Sequence, residues 1–351
     1  MAQINKPDTY FNTKLYTGTG SSLAVTGVGF QPDLNWTKDR GATENHTLTD
    51  AVRGATKRLF SNTTGAESIN VSSLTSFDSD GFTVGGAGTN GGNNQNYVSW
   101  NWLGANGTTA NTDGTISSTV SANTTSGFSI VSYTGTGSNA TVGHGLSTAP
   151  KVVITKGRDS SGKKWATGHN SLGWTKELFL NTTDASASAP TAWNNTNPTS
   201  SVVSLGTGGN GNSSGETYIM YAFAEKKGYS KFGSYTGNGS TDGTFIYTGF
   251  KPAFVMCKRT NSTGVWFMCD NKRVGFNGRP NNTASVGNPE LSANDSRSEA
   301  GGNTNVMDIF SNGFKLIQSG AEINGSGSSF IYMAFAENPL VGTNNIPATA
   351  R

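Results

Sequence analysis

The side chains best suited to acid–base or nucleophilic chemistry are few in this sequence, and no familiar spacing groups them. Its three histidines, His46, His144 and His169, stand in unrelated local contexts. No H-E-x-x-H or C-x-x-C pattern occurs, so the sequence lacks a zinc-protease motif and a paired-cysteine motif. We therefore predict that the protein is not an enzyme, with no catalytic residue, no metal site and no cofactor.

Aromatic side chains in polar segments are better candidates for a binding function. Trp165, His169, Trp174 and Trp193 all lie in stretches rich in small polar residues. Loops on rigid β-sheet scaffolds carry recognition, and aromatic faces suit sugar rings. We therefore predict that these four side chains are exposed and contact a glycan or a protein partner. The alternative is that they pack inside their domain or against a neighbouring subunit.

Two polar motifs have structural interpretations that compete with functional ones. The segment FDSDGF opens like a calcium-binding loop, but no Glu closes the twelve-residue pattern, so a hairpin turn at Asp80 is favoured. A lysine ends a short strand at Lys38, Lys156 and Lys258. It could contact acidic glycans, but we predict that it solvates the strand end and blocks edge pairing.

The elements that must position these residues occur three times. The motif Tyr-Thr-Gly-x-Gly begins at Tyr16, Tyr133 and Tyr235. After each copy comes a glycine turn, a proline, a short strand ending in lysine and closely followed by Arg40, Arg158 or Arg259, and finally a strand rich in aromatic residues. Between these strands LFSNTT at residues 59–64 matches LFLNTT at residues 178–183, with a weaker echo from Asn281. These final strands read YVSWNW, YIMYAF and FIYMAF and align without gaps. The chain is therefore predicted to contain three copies of one unit.

One face of each final strand is large and apolar. Side chains alternate between the two faces of a strand, so every second residue shares that face. The opposite face varies, with Ser99 and Asn101 in the first copy and Met220 and Ala222 in the second. The apolar face is predicted to be the core face of a half-buried strand. The predicted core residues are Trp100, Trp102, Tyr221, Phe223, Met333 and Phe335.

Composition favours an all-β fold. The chain has 351 residues with 47 Gly, 10% aromatic and only 13% charged residues. Short alternating strands with frequent turns predict three tandem antiparallel β-sandwich domains of jelly-roll or lectin-like type. The predicted bounds are 1–106, 113–228 and 229–338, followed by a C-terminal tail at 339–351. The polar segment GANGTTANTD is predicted to be a linker between the first two domains.

Charge and hydropathy exclude several classes of partner. The net charge of +3 comes from 25 basic and 22 acidic residues spread along the chain, too balanced for a nucleic-acid-binding surface. The first residues lack the apolar region of a secretory signal, and no apolar run is long enough to span a membrane. Cys257 and Cys269 are too few for a disulfide framework, and the sequence leaves their pairing open.

The ordered motifs YTGTG, VGFQPDLNWTK, LTSFDSDGFTV and YVSWNW, with YTGNGSTDGTFIYTGFKPAFVMCKR and YMAFAENP, carry a family resemblance. Over nearly its whole length the chain resembles virion proteins of marine tailed phages that are built from tandem concanavalin-A/lectin-like sandwich repeats. The resemblance implies a tail-fibre or other virion structural protein that contributes to host attachment. It offers no catalytic motif to match.

On this resemblance we expect a virion protein made in the host cytoplasm, forming a homo-oligomer set by the symmetry of the particle. Its partners would be other virion proteins of the tail or capsid, and a host surface glycan. Capsid decoration, a free glycan-binding module and a polysaccharide depolymerase are the alternatives, since a fold alone does not separate them.

Overall fold

The structure is a computed structural model that describes residues 3–273, 290–299 and 306–342. This part of the chain is almost entirely antiparallel β-sheet, as the all-β, β-sandwich prediction requires. Its strands form large and small sheets in three consecutive groups, which we call the first, middle and last units.

The first unit pairs one large sheet with one small sheet. A short 3-10 helix, Pro7–Thr9, precedes it. Its strands are β1 (Phe11–Thr17), β2 (Leu23–Thr26), β3 (Leu34–Asp39), β4 (Thr47–Asp50), β5 (Lys57–Phe60), β6 (Ser68–Ile69), β7 (Leu74–Asp78), β8 (Gly81–Val84) and β9 (Asn96–Trp102). The large sheet has the order β1-β9-β3-β4-β5-β6, and the small sheet has the order β2-β8-β7.

The middle unit repeats this arrangement and extends its large sheet at one edge. Its elements are β10 (Thr109–Asn111), β11 (Ser118–Asn123), β12 (Phe128–Thr134), β13 (Ala140–Gly143), β14 (Val152–Gly157), β15 (Ala166–His169), a 3-10 helix (Asn170–Leu172), β16 (Lys176–Phe179), β17 (Ala187–Ser188), β18 (Val202–Leu205), α1 (Gly209–Asn212) and β19 (Thr217–Phe223). The large sheet runs β10-β11-β12-β19-β14-β15-β16-β17, and β13 pairs with β18. The predicted linker therefore contains a strand, because β10 lies within it and pairs with β11.

Within its described residues, the last unit has the same plan with fewer strands. Its elements are β20 (Ser230–Thr236), β21 (Phe245–Tyr247), β22 (Phe250–Arg259), β23 (Trp266–Asp270), β24 (Leu291–Ser292), β25 (Met307–Phe310), β26 (Gly313–Leu316), α2 (Ala321–Asn324) and β27 (Ser329–Pro339). The large sheet has the order β20-β27-β22-β23-β24, and the small sheet has the order β21-β26-β25. The final strand of every unit, β9, β19 or β27, therefore lies inside its large sheet between two partners.

The Tyr-Thr-Gly-x-Gly motif fastens each unit at one end. The hydroxyl groups of Tyr16, Tyr133 and Tyr235 each donate to a backbone carbonyl, with oxygen–oxygen distances of 2.7, 2.6 and 2.8 Å. The first glycine of the motif packs directly on backbone, since a Cβ at Gly18 would lie 2.3 Å from the carbonyl oxygen of Gly92. Only glycine permits this approach, which explains why the motif recurs.

Each sandwich has its own core between its large and small sheets. In the first unit Val25 and Phe82 of the small sheet belong to it, and in the middle unit Val142 and Val203 do. In the last unit Phe314 takes this role against the large sheet. These three cores account for one face of each large sheet.

The other faces of the three large sheets pack on one another and form a single shared core. It contains the six predicted core residues, of which none is more than 5% exposed. Phe335 contacts Phe11 of the first unit and Phe223 of the middle unit, with ring centroids 5.2 and 5.8 Å apart. At its centre lies a cavity of about 10 Å³ lined only by nonpolar and aromatic side chains, with Tyr221 among them. The units are therefore packed around one common centre.

The final strands are buried on both faces, which differs from the predicted half-buried strand. Trp100 and Trp102 point into the shared core, while Ser99 and Asn101 point into the first sandwich and are fully buried. The face that varies between copies therefore meets the small sheet of its own unit. It varies because each sandwich fills its interior differently.

We predict that Trp102→Ala destabilises all three units together, by about 3–5 kcal/mol, because it leaves a cavity in the core that they share. Hydrogen–deuterium exchange followed by mass spectrometry would measure loss of protection peptide by peptide. Val25→Ala, in the first unit's own core, is the control and should increase exchange mainly in the first unit. Faster exchange limited to the first unit after Trp102→Ala would contradict the shared core.

Candidate functional site

The four side chains predicted to be exposed are all buried, and the structure corrects that expectation. Trp165, His169, Trp174 and Trp193 are between 0 and 2% exposed. The polar segments that carry them fold back over the sheets, so their aromatic rings fill space between layers. Sequence reasoning assigned them to loops because a single large side chain among polar residues shows no strand periodicity.

Trp165 and His169 lie where the middle unit meets its neighbours. The indole Nε1 of Trp165 donates to the carbonyl oxygen of Phe60 in the first unit at 2.9 Å. Trp266, at the same place in the last unit, donates to the carbonyl oxygen of Phe179 in the middle unit at 3.0 Å. The Nε2 atom of His169 lies 3.2 Å from the carbonyl oxygen of Tyr332, and burial lowers the pKa of His169 to about 4. These rings therefore join units rather than face solvent.

Trp174 and Trp193 pack against each other inside the middle sandwich. Their rings are perpendicular, with centroids 5.5 Å apart. Gly168 makes room for both, because a Cβ there would lie 2.4 Å from the Trp174 ring. Neither indole Nε1 has a hydrogen-bond partner in the described part of the chain. Of the two, Trp193 lines a cavity.

The repeated lysines are buried, and two of them bond to a neighbouring unit, which corrects their predicted role in solvating strand ends. Lys38, Lys156 and Lys258 are each 0% exposed. The Nζ atom of Lys156 donates to Thr64 of the first unit at 3.3 Å, and that of Lys258 donates to Thr183 of the middle unit at 3.1 Å, both to carbonyl oxygens. Burial disfavours the ammonium ion and lowers the pKa of each lysine to about 8.

Backbone hydrogen bonds join the units in the same threefold pattern. The amide of Glu67 donates to the carbonyl oxygen of Arg158, that of Ser186 to Thr260, and that of Glu299 to Arg40, each at 2.8 Å. In each pair one unit supplies the donor and another the acceptor. Thr260 therefore stands where the first and middle units have arginine. The sequence alignment had placed Arg259 there, one residue too early.

A repeated asparagine also has a different third copy from the one that the sequence suggested. The side chains of Asn62, Asn181 and Asn294 each accept from the backbone amide at the start of the neighbouring strand, at 3.1, 2.9 and 2.7 Å. The weaker sequence echo at Asn281 lies outside the described residues. The sequence did not predict Asn294, because the last unit keeps only Leu291 of the Leu-Phe-x-Asn motif that ends at Asn62 and Asn181.

Two of the three contacts between units contain buried ion pairs. Between the first and middle units, Arg53 pairs with Asp50 at 2.5 Å and with Glu67 at 3.2 Å, and Glu67 also pairs with Arg158 at 3.0 Å. The hydroxyl of Tyr221 donates to Asp50 at 2.8 Å. The two arginines hold the pKa of Glu67 below its usual value, although burial opposes them.

The contact between the last and first units repeats this network. Arg273 pairs with Asp270 at 2.6 Å and with Glu299 at 3.3 Å, and Glu299 pairs with Arg40 at 2.8 Å. The indole Nε1 of Trp100 donates to Asp270 at 3.1 Å, in the role that Tyr221 has at the other contact. The sequence analysis missed both networks, although the D-x-x-R spacing shared by residues 50–53 and 270–273 could have indicated them.

The third contact, between the middle and last units, carries none of these charges. His169 stands where the other contacts have aspartate, and Leu172 where they have the first arginine. Ser186 replaces the glutamate and Thr260 replaces the second arginine. All four of these positions are neutral at this contact. This is expected, because a buried charge without a partner of opposite sign is costly.

A family model described as Domain of unknown function (DUF7483) matches residues 6–339, which includes all three units. The chain belongs to the DUF7483 family. No curated protein and no solved structure gives a significant match to it. The family model extends over the three sandwiches without a break, in agreement with the core that they share.

Other reactive groups of this DUF7483 chain are used inside the fold. Cys257 and Cys269 are free and buried, and burial raises the pKa of Cys269 to about 12. Asp80 accepts hydrogen bonds from the amides of Gly27 and Gly29 at 2.9 and 2.7 Å. In the described ranges no three His, Cys, Asp or Glu side chains are grouped as a metal site. No helix within them is long and apolar enough to cross a membrane.

The middle sandwich contains a cavity of about 160 Å³. Its lining includes Thr155, Ala166, Glu177, Trp193 and the segment 208–211. The segment is partly exposed and forms the rim, whereas Thr155 and Trp193 are buried. The cavity therefore combines an open mouth with a buried polar interior.

We predict that the buried lysines make stability rise with pH in alkaline solution. The unfolded chain holds the lysine proton up to a pKa near 10.5, whereas the folded chain loses it near 8, so the unfolded state binds more protons in between. Wild type should therefore gain stability over Lys156→Met as pH rises from 8 to 9.5, by up to about 1.4 kcal/mol per pH unit. Urea denaturation at each pH measures this difference. The control is Lys176→Met, which changes an exposed lysine. The difference in stability between wild type and this variant should stay constant over the same pH range.

A second prediction concerns the charged contacts. Asp270→Asn should cost about 3–5 kcal/mol, because it leaves the buried Arg273 guanidinium without its closest carboxylate. The double variant Asp270→His with Arg273→Leu installs the residues of the neutral contact and should cost less than half as much. Urea denaturation gives both values. A double variant as unstable as the single one would show that the neutral contact depends on other residues.

Proposed function

We propose that this protein is a structural component of a bacteriophage particle, located in the tail, with part of its surface presented to the host cell. The observation that carries the proposal is the core shared by the three units, to which Trp102, Phe223 and Phe335 all contribute. Each unit is held by the other two, so the chain forms one block rather than flexibly linked modules. A particle component benefits from such support when it must keep its shape outside a cell.

The assignment to a phage particle draws on the resemblance of the repeated motifs to virion proteins of marine tailed phages. Several of those motifs occupy positions where the three units are fastened. Tyr16 closes one end of the first sandwich, Lys258 joins the last unit to the middle one, and Trp100 joins the first unit to the last. The resemblance therefore concerns residues that determine the assembled shape.

Capsid decoration is the second candidate location. The threefold repetition of contacts between units favours it, because an icosahedral shell offers positions of threefold symmetry on which such a block could sit. Tail and capsid positions both require several copies per particle and contact with other virion proteins.

Quantitative mass spectrometry of gradient-purified, salt-washed particles tests the proposal. We expect the protein at several copies per particle, at a constant ratio to the major capsid protein across the gradient. An abundant host cytoplasmic protein measured in the same fractions sets the level of carry-over. Immunogold labelling then separates tail from capsid. A protein that is present in the infected lysate but falls to the carry-over level in washed particles would refute the proposal.

A further inference from the structure

We propose that the cavity of the middle sandwich binds one small polyhydroxylated molecule, a single sugar ring or a polyol of similar size. Trp193, Thr155 and Glu177 would contact its hydroxyl groups. This inference goes beyond the structural role proposed above and does not depend on it. A cavity of about 160 Å³ corresponds to roughly five water molecules and is too small for a drug-sized ligand.

Two buried polar atoms on residues that line the cavity have no hydrogen-bond partner among the described residues. They are the Oγ1 atom of Thr155 and the Nε1 atom of Trp193. The two residues are 0 and 1% exposed, and buried polar atoms are nearly always hydrogen-bonded. Both atoms therefore need a partner that enters the cavity.

Glu177 supplies the third polar group. Its side chain lines the cavity, is half-buried, and makes no hydrogen bond or ion pair within the described residues. Burial raises the pKa of this carboxyl group, and only the positive charge of Lys164 opposes the shift. The Lys164 ammonium itself lies over the Phe179 ring at 4.4 Å and 3.8 Å from Asp184. Glu177 is therefore free to accept a hydrogen bond from a ligand.

These three groups define the chemistry of the ligand. The Trp193 indole can only donate a hydrogen bond, an ionised Glu177 can only accept, and the Thr155 hydroxyl can do both. A ligand that satisfies all of them must accept and donate within a few ångströms. Ammonium groups only donate and carboxylates only accept, whereas neighbouring hydroxyl groups do both. A polyhydroxylated molecule therefore fits best.

Two residues that line the cavity are replaced by larger or differently charged side chains in the other units. Ala166 occupies the place of Phe267 in the last unit, where the phenylalanine ring is buried in the sandwich core. Glu177 occupies the place of Arg58 in the first unit, whose guanidinium reaches Thr89 at 3.4 Å. Small side chains, together with the glycines of the rim, leave this space open in the middle unit.

The full-length protein can be tested by saturation-transfer NMR and calorimetry against a panel of neutral monosaccharides and polyols, with ethylamine and acetate as comparison ligands. We expect at least one hydroxylated compound to bind with a millimolar Kd. Ala166→Phe fills the cavity with the side chain of the last unit, and Trp193→Phe removes its indole donor. Each should weaken binding at least tenfold.

Trp174→Phe is the matched control, because the Trp174 Nε1 atom is also unpartnered but the residue does not line the cavity. Its Kd should stay within twofold of the wild-type value. Thermal melting checks that each variant folds, and Trp193→Phe decides the question if Ala166→Phe does not. Binding that is equal in Trp193→Phe and Trp174→Phe, binding of ethylamine or acetate alone, or no binding by any hydroxylated compound would overturn the proposal.

Discussion

The mutual burial of three apolar sheet faces is the constraint on which the rest of the structure depends. Each large sheet has one face covered by its own small sheet, and the opposite face would be exposed in an isolated unit. Residues such as Trp102, Phe223 and Phe335 leave water only when the three units meet. Apolar burial on this scale dominates folding free energy, so the positions of lysines, ion pairs and indoles at the contacts follow from it.

The sequence predicted the elements well because they obey local rules. The gapless final strands and the glycine motif revealed the repeats, and alternation identified Trp100 and Tyr221 as core residues. It could not tell which core they join, because alternation reports that a face is buried but not what covers it. The same limit explains Trp165 and Lys156, whose partners come from another unit far away along the chain.

The contacts between units are alike in backbone geometry but differ in charge. Arg53 and Arg273 each anchor a buried ionic network, while Leu172 occupies the corresponding place at the third contact. Buried ion pairs add little net stability, but mismatched ones are costly, since pairing a charged surface with a neutral one leaves charges without partners. This difference favours one arrangement of the three units over its permutations. The middle unit, which has the neutral contact on one side, also holds the polar cavity.

The ring of units closes between its first and last members, and this has a consequence for biosynthesis. Trp100 pairs with Asp270, and Arg40 pairs with Glu299. Because the second residue of each pair lies late in the chain, the contacts form only after most of the chain has left the ribosome. Until then the nascent first unit displays an aromatic sheet face, a surface prone to capture by another chain. Contacts this distant in sequence also make folding slow. Two growing chains on one messenger could therefore exchange their last units and close as an intertwined pair.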